Sequence, residues 1–290
     1  MSESWCPPPE PSPRHPELAL PPRATDSHCH IFGPAAVFPF APDAPFRPPD
    51  APLGALANLH RTLGFERAVI VQSACHGSDH RVLLDALHAG EGRYRGVALV
   101  APGTRAAELT ELAEAGSCGL RLHFMSHVGP APDAALIRSF AALAGELSWH
   151  LEVHVAGDGL LGMAPLLREL EVPIVIDHLA RVDLAQGLET AVIAELASLL
   201  ELGHVWLKLS AAYRISLEGP PYRDGVELAR RLAAHAPSRV VWGTDFPHPN
   251  IIGAPPDDAL QVESLSEIAP DPAARYALLV ENPTELFGFK

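Results

Sequence analysis

Residues 173–210, PIVIDHLARVDLAQGLETAVIAELASLLELGHVWLKLS, contain two short runs rich in β-branched residues, with an Ala- and Leu-rich segment between them. The apolar centres of PIVIDH and HVWLKLS are typical of strands that are buried on both faces, and TAVIAELASLLEL has a helical period. A strand, a helix and a second strand in this order predict a βαβ unit of a parallel sheet.

The same alternation extends over most of the chain. The other strand-like runs are ATDSHCHIF, RAVIVQS, RGVALV, CGLRLH, LEVHV and RVVWGTD, and helix-like segments such as RVLLDALHAG and GVELARRLAAHA separate them. An open, doubly wound sheet is the alternative, but it usually carries a Gly-rich phosphate loop after an early strand, and this sequence has none. Eight units in roughly 250 residues match the (β/α)8 barrel. We therefore predict an α/β protein with a single TIM barrel.

Two proline-rich segments lie outside this repeat. Residues 1–24 predict an extended N-terminal arm, which leaves 25–290 for the barrel domain. Residues 32–53, FGPAAVFPFAPDAPFRPPDAPL, form a long loop after the first strand. Because loops that follow barrel strands surround the active-site mouth, we expect this loop to lie over that mouth.

Charge and cysteine content narrow the classes of partner. The chain of 290 residues has 21 Lys and Arg against 35 Asp and Glu, a formal charge of −14. Such a surface repels nucleic acid and anionic membranes. The four cysteines show no CxxC spacing, and the sequence has neither a signal peptide nor an apolar run that could span a bilayer. We expect a cytoplasmic protein, and a homo-oligomer is left open.

Histidine and aspartate residues follow several predicted strands. His28 and His30 are two residues apart, so they point to the same side of the first strand. His154, His178 and Asp245 end the fifth, sixth and eighth runs. Each could be structural alone, for example as a helix cap. In a closed barrel all five side chains would meet at one mouth, which favours a catalytic or metal site.

Three segments in this order, TDSHCHIFGP, IVIDHLAR and VVWGTDFPHPN, resemble the amidohydrolase superfamily, and within it the 2-pyrone-4,6-dicarboxylate lactonase group. The resemblance implies a hydrolase that opens the lactone of a small carboxylated compound in aromatic catabolism. It implies catalytic roles for His28, His30, His178 and Asp245. It implies substrate contacts for Ser73, Arg121, Arg181 and Arg214, and guanidinium groups suit carboxylates because they bind them in a bidentate manner.

Two residues depart from the pattern of that group. His127 replaces an arginine, and His154 replaces a tyrosine. We assign both to substrate binding. Because His127 departs from the pattern of the group, another substrate remains an alternative, such as a sulfonated muconolactone or a sugar lactone.

His154 also restores a third imidazole, as found in metal-dependent members of the superfamily. Together His28, His30, His154 and Asp245 suit one Zn²⁺ or Mn²⁺ ion. Binuclear members often use a carbamylated lysine on the fourth strand, but the only lysines here are Lys208 and Lys290, and neither lies there. One metal ion, or none, is the prediction, and without metal Asp245 acts directly on water.

Two further functions remain open at this point. Related barrels with the same histidine and aspartate pattern decarboxylate unsaturated dicarboxylates. A non-catalytic binding protein is the third alternative, but it would have no use for the general base that Asp245 provides. The partner expected from the lactonase hypothesis is a small anionic lactone.

Overall fold

The computed structural model describes residues 5–126 and 128–290, and a sheet of eight parallel strands forms its centre. The strands pair in sequence order. They are β1 (Thr25–Cys29), β2 (Arg67–Val71), β3 (Tyr94–Ala98), β4 (Ser117–His123), β5 (His150–His154), β6 (Ile174–Ile176), β7 (Val205–Lys208) and β8 (Val240–Val241). Each lies within one of the eight predicted runs or overlaps it.

Backbone hydrogen bonds between β1 and the residues after β8 close the sheet. Ser27 N donates to Trp242 O over 2.9 Å, and His30 N donates to Phe246 O over 2.8 Å. In return, Asp245 N donates to His28 O over 2.8 Å. The prediction of a (β/α)8 barrel is thereby confirmed.

Helices connect successive strands on the outside of the barrel. They are α1 (Leu53–Leu63), α2 (Arg81–Gly90), α3 (Ala106–Ala115), α4 (Ala134–Glu146), α5 (Gly159–Glu169), α6 (Ala191–Leu200) and α7 (Arg223–His235), followed after β8 by α8 (Asp258–Glu263), α9 (Leu265–Ile268), α10 (Pro272–Tyr276) and α11 (Asn282–Phe287). Short 3₁₀ turns occur at Ala74–His76, Leu184–Gln186 and Ala212–Arg214, a left-handed turn at His178–Arg181 and a π turn at Ala277–Glu281. Side-chain caps start some helices, as where Asp133 accepts from Leu136 N at α4.

Two apolar layers stabilise this arrangement. The larger one packs the outer faces of the strands against the helices. The smaller one combines inward-facing valines with aromatic residues from the end of the chain. Phe287 and Phe289 belong to it, and they lie near Arg67 and Arg95, which are at the start of β2 and β3. The barrel is therefore filled at the end opposite to the predicted mouth.

The buried carboxylate of Asp26 ties the barrel seam together. Its Oδ1 accepts hydrogen bonds from His28 N (3.2 Å) and Thr244 N (2.9 Å). Its Oδ2 accepts from Thr244 Oγ1 (2.6 Å) and lies 3.0 Å from His60 Nε2 of α1. The pairing of β1 with β2 shifts register between Asp26 and Cys29. One carboxylate thus joins β1, the segment after β8 and α1.

Residues 5–24 contain no helix or multi-residue strand, and they run along the barrel. Trp5 and Ile251 exchange backbone hydrogen bonds of 2.9 Å, and Arg14 pairs with Asp257 and Glu263. These contacts hold residues 5–24 against the barrel at several points. None of the described helices has both the length and the apolar character needed to cross a membrane.

Candidate active site

A pocket of about 440 Å³, part of it open to solvent, lies at the carboxyl ends of the strands. Its walls include the following predicted site residues: His30, Ser73, Arg121, His154, His178, Arg181, Arg214 and Asp245. Phe46, from the long loop after β1, also lines the pocket. The fold thus places residues from seven strand ends around one space, and the loop contributes to it as expected.

Four polar side chains form the centre of the site. His28 Nε2 lies 3.3 Å from His30 Nε2. Asp245 Oδ1 lies 3.9 Å from His28 Nε2, 3.6 Å from His30 Nε2 and 3.7 Å from His178 Nε2. All four residues are buried. One carboxylate oxygen therefore faces three imidazoles at 3.6–3.9 Å, beyond the usual length of a direct hydrogen bond.

The second oxygen of Asp245 is held by the protein. Its Oδ2 accepts hydrogen bonds from Tyr213 Oη (2.6 Å) and Arg214 Nε (2.7 Å). Burial alone would raise the pKa of this carboxyl, but the Arg214 guanidinium and the nearby imidazole of His178 hold the pKa well below its usual value. Asp245 also has a left-handed backbone, with φ of 64°. Its carboxylate is therefore ionised and fixed in direction.

His178 begins an unusual turn. Residues 178–181 all have positive φ, from 46° to 54°, a conformation that costs L residues energy and is found mainly at functional sites. Its Nδ1 lies 2.8 Å from Ser210 Oγ. Burial lowers the pKa of His178 to about 3, so the ring is neutral at physiological pH.

His154 presents an unsatisfied nitrogen. Its Nδ1 lies 3.3 Å from His123 Nδ1, whereas its buried Nε2 has no hydrogen-bond partner among the described residues. Burial, followed by the positive charge of Arg121, holds the pKa of His154 well below its usual value. A buried polar atom without a partner is unfavourable, so a polar ligand atom would stabilise this ring.

The three predicted substrate-binding arginines have different surroundings. Arg121 is buried and bonded to Asp177 Oδ2 over 2.6 and 2.9 Å, and it lies 3.1 Å from Glu152. Arg214 is bonded to Asp245 and to the carbonyl oxygen of Pro249. The guanidinium of Arg181 has no hydrogen bond or ion pair in the part of the chain that the structure describes.

Arg181 is thus the arginine whose charge is not compensated at close range. It lines the pocket described above and also an adjoining cleft of about 1040 Å³. Burial, followed by the positive charge of Arg214, lowers the pKa of Arg181 to about 10. An anionic ligand would remove this electrostatic penalty.

Two predicted contacts remain to be placed. Ser73 is buried at the pocket wall, and its Oγ lies 3.4 Å from Cys75 Sγ, so its hydroxyl can donate towards a ligand. His127 lies outside the described residues.

Below the pocket, charged side chains fill the barrel interior, a layer that we did not predict from the sequence. Glu152, Asp177 and Lys208 are fully buried there, together with Arg121. Lys208 Nζ bonds to Glu152 Oε2 and lies 3.0 Å from His28 Nδ1 and 3.5 Å from Asp177 Oδ1. Two cations and two carboxylates balance one another, as buried charges require.

The site meets one requirement for binding a metal ion, the distances between ligand atoms, but not the requirement for unprotonated ligands. Ligand atoms of His28, His178 and Asp245 lie within 4.8 Å of one another, which is close enough to hold one ion. His30 and His154, two of the four predicted ligands, are in none of the candidate groups among the described residues. Lys208 faces His28 Nδ1, and an ammonium group can only donate there, so neutral His28 carries its proton on Nε2. The donor set fits an ion by distance but not by protonation.

Comparison with known proteins places this geometry in a family. The model of an amidohydrolase family matches residues 25–289, nearly the whole chain. The chain belongs to this amidohydrolase family. The resemblance that the strand-end motifs indicated is thereby confirmed.

Relatives of this amidohydrolase act on lactones. It is 37% identical to a 4-sulfomuconolactone hydrolase of Hydrogenophaga intermedia, over 93% of this chain and 90% of the relative. It is also 37% identical to a 2-pyrone-4,6-dicarboxylate hydrolase of Comamonas testosteroni, over 95% and 93% of the two chains. A crystal structure of an Agrobacterium tumefaciens protein superposes with a TM-score of 0.85 at 30% identity, covering 95% of this chain and 99% of that one.

Proposed function

We propose that this amidohydrolase hydrolyses the lactone of a small anionic compound, of the kind formed in aromatic catabolism. One observation carries the proposal: the pocket joins an ionised carboxylate that faces three imidazoles to the uncompensated guanidinium of Arg181. The carboxylate and imidazoles suit attack of water on an ester, and the guanidinium suits a carboxylate or sulfonate on the same molecule. The lactone hydrolases among the relatives support this assignment.

The chain's own residues can carry each proton that the reaction moves. Asp245 Oδ1 takes a proton from water as the water oxygen bonds to the carbonyl carbon. Imidazole N–H groups then stabilise the negative charge that develops on the carbonyl oxygen. When the ring C–O bond breaks, the proton passes from Asp245 to the leaving oxygen, and a ring-opened acid results. Tyr213 and Arg214 keep Oδ1 of Asp245 directed at the reacting atoms throughout.

The proposal also concerns whether the enzyme uses a metal ion as cofactor. The amidohydrolase superfamily is typically metal-dependent, and a single Zn²⁺ or Mn²⁺ ion is the cofactor predicted from the sequence. The distances among His28, His178 and Asp245 support such an ion. The proton on His28 Nε2 opposes it, because a ligand nitrogen must be unprotonated. The steps above therefore use no metal, and elemental analysis of protein purified without chelator measures the metal content directly.

A panel of substrates tests the proposed function. Purified protein is incubated with carboxylated and sulfonated unsaturated lactones, neutral lactones, and an unsaturated dicarboxylate. We expect ring-opened acid, with one water added, from an anionic lactone. Release of CO2 from the dicarboxylate would instead identify a decarboxylase, and saturable binding of the lactones without turnover would identify a binding protein.

Arg181→Met is expected to weaken binding of anionic lactones selectively. Because the guanidinium has no hydrogen-bond or ion-pair partner among residues 5–126 and 128–290, the substrate anion is its counterion in this proposal. Loss of a charge-assisted contact of about 1.5–3 kcal/mol raises KM roughly ten- to hundredfold. Steady-state kinetics with an anionic and a neutral lactone measure the difference.

Arg138→Met is the matched control, since Arg138 forms an exposed ion pair with Glu169 on the outer surface. It should leave both KM values unchanged. If Arg181→Met raises KM equally for the anionic and the neutral lactone, Arg181 does not bind the anion.

A further inference from the structure

Lys208 is a buried charged group to which the proposed reaction assigns no role. It ends β7 and is fully buried beneath the pocket. Its Nζ bonds to Glu152 Oε2 and lies 3.0 Å from His28 Nδ1. Through His28 it is therefore one side chain away from the reacting atoms.

The direction of the hydrogen bond between Lys208 and His28 follows from the groups involved. An ammonium group has three donors and no acceptor, so His28 Nδ1 must accept. A proton on that nitrogen would place two donors 3.0 Å apart. Asp177 Oδ1 lies farther from the same nitrogen, at 3.3 Å, and its direction is poorer for a hydrogen bond than that of Lys208 Nζ. A neutral His28 consequently carries its proton on Nε2.

The contacts of His30, the next residue in this series of hydrogen bonds, independently predict the same tautomer of His28. His30 Nδ1 lies 2.7 Å from the carbonyl oxygen of Val71, which can only accept, so His30 Nδ1 donates. A neutral His30 then has a lone pair on Nε2. His28 Nε2, at 3.3 Å, must donate to it. Lys208, His28, His30 and Val71 thus form one series in which every hydrogen bond runs in the same direction.

We propose that Lys208 is a positioning residue that holds His28 as the Nε2–H tautomer, in which the ring gives a hydrogen bond to the site and not a lone pair to a metal ion. The inference rests on the site of the proposed function but not on its substrate. In this tautomer the Nε2–H group of His28 can donate to the carbonyl oxygen of a bound lactone instead of to His30. Asp245 Oδ1 is left as the acceptor for water.

The same arrangement sets the affinity for metal. An ion at His28 Nε2 requires the proton to move to Nδ1, where it would face the ammonium of Lys208. Without the ammonium, Nδ1–H could donate to Asp177 Oδ1, 3.3 Å away. A carboxylate in that position orients a ligating histidine and makes it more basic. Removal of Lys208 should therefore convert His28 into a better metal ligand.

Two variants and one control test the proposal. Lys208→Met removes the ammonium but leaves one excess negative charge among the buried groups. Lys208→Met combined with Glu152→Gln restores the charge balance, so it should fold where the single variant does not. Lys290→Met removes the only other lysine of the chain and should change nothing at the site.

The first readout is the tautomer of His28, measured by ¹⁵N NMR on protein labelled with [¹⁵N]histidine, with the His28 signals assigned by their loss in His28→Gln. We expect the proton on Nε2 in the wild type and in Lys290→Met, and on Nδ1 in the double variant. A wild-type proton on Nδ1, or the same tautomer in wild type and double variant, would overturn the proposal. The wild-type spectrum alone tests the tautomer, so the test does not depend on the variants folding.

The second readout is Zn²⁺ binding by titration calorimetry. Since partners of metal ligands change metal affinity by roughly ten- to hundredfold, the double variant should bind Zn²⁺ at least about tenfold more tightly than the wild type. Equal affinities would contradict the proposal. Neither readout uses a substrate, so failure of the lactone panel would leave the tautomer result intact, and the reverse also holds.

Discussion

Asp245→Asn should lower kcat for an anionic lactone by at least about a hundredfold, the low end for loss of general-base catalysis. The amide keeps nearly the shape of the carboxylate. It loses the charge, and its oxygen is drawn to the donors Tyr213 and Arg214, which leaves the NH₂ group facing the imidazoles. The atom that faced water then donates where it previously accepted. Steady-state and single-turnover kinetics measure the loss.

Tyr213→Phe is the comparison for this variant. It removes one of the hydrogen bonds to Oδ2 but leaves the carboxylate and Arg214 in place, so we expect a clearly smaller effect on kcat. Circular dichroism and thermal unfolding establish that both variants fold. A folded Asp245→Asn protein with near-normal turnover would show that Asp245 is not the base.

The second large effect concerns stability. Asp26→Ala should lower the free energy of unfolding by about 3–5 kcal/mol, the range for removing one partner from a buried charged network. The carboxylate satisfies two backbone N–H groups, the Thr244 hydroxyl and His60. Its loss leaves these donors buried without partners at the barrel seam. Denaturant unfolding followed by fluorescence measures the change.

Thr244→Ser serves as the control at the same place. The serine keeps the hydroxyl that donates to Asp26 and loses only a buried methyl group, so the free energy of unfolding should fall by about 1 kcal/mol. If Asp26→Ala is no more destabilising than Thr244→Ser, the carboxylate does not stabilise the seam.

The sequence predicted the barrel well because apolar runs and helical periods are local properties. The runs PIVIDH and HVWLKLS contain β6 and β7, and TAVIAELASLLEL contains α6. Because the carboxyl ends of barrel strands meet at one mouth, we expected His28, His154 and Asp245 to lie together, and the structure places them there. A closed barrel makes the ends of distant strands neighbours, so knowledge of the fold supplies most of the positions in the site.

The partners of each charged residue could not be predicted in the same way. Arg121, Arg181 and Arg214 all follow strands, yet only Arg181 lacks a partner in the described structure, because pairing depends on which carboxylates other strands bring close. One signal for the interior layer was present in the sequence. Glu152 lies two residues before His154, so both point into the barrel, and Lys208 ends an otherwise apolar strand.

The left-handed turn at residues 178–181 joins two residues of the pocket by a short stretch of backbone. It carries His178 at its start and Arg181 at its end, and both side chains line the same pocket. Under the proposed function, the short turn therefore limits the distance between the anionic group of a substrate and the carbonyl under attack. We then expect lactones to be selected by the length between their charged group and their ester.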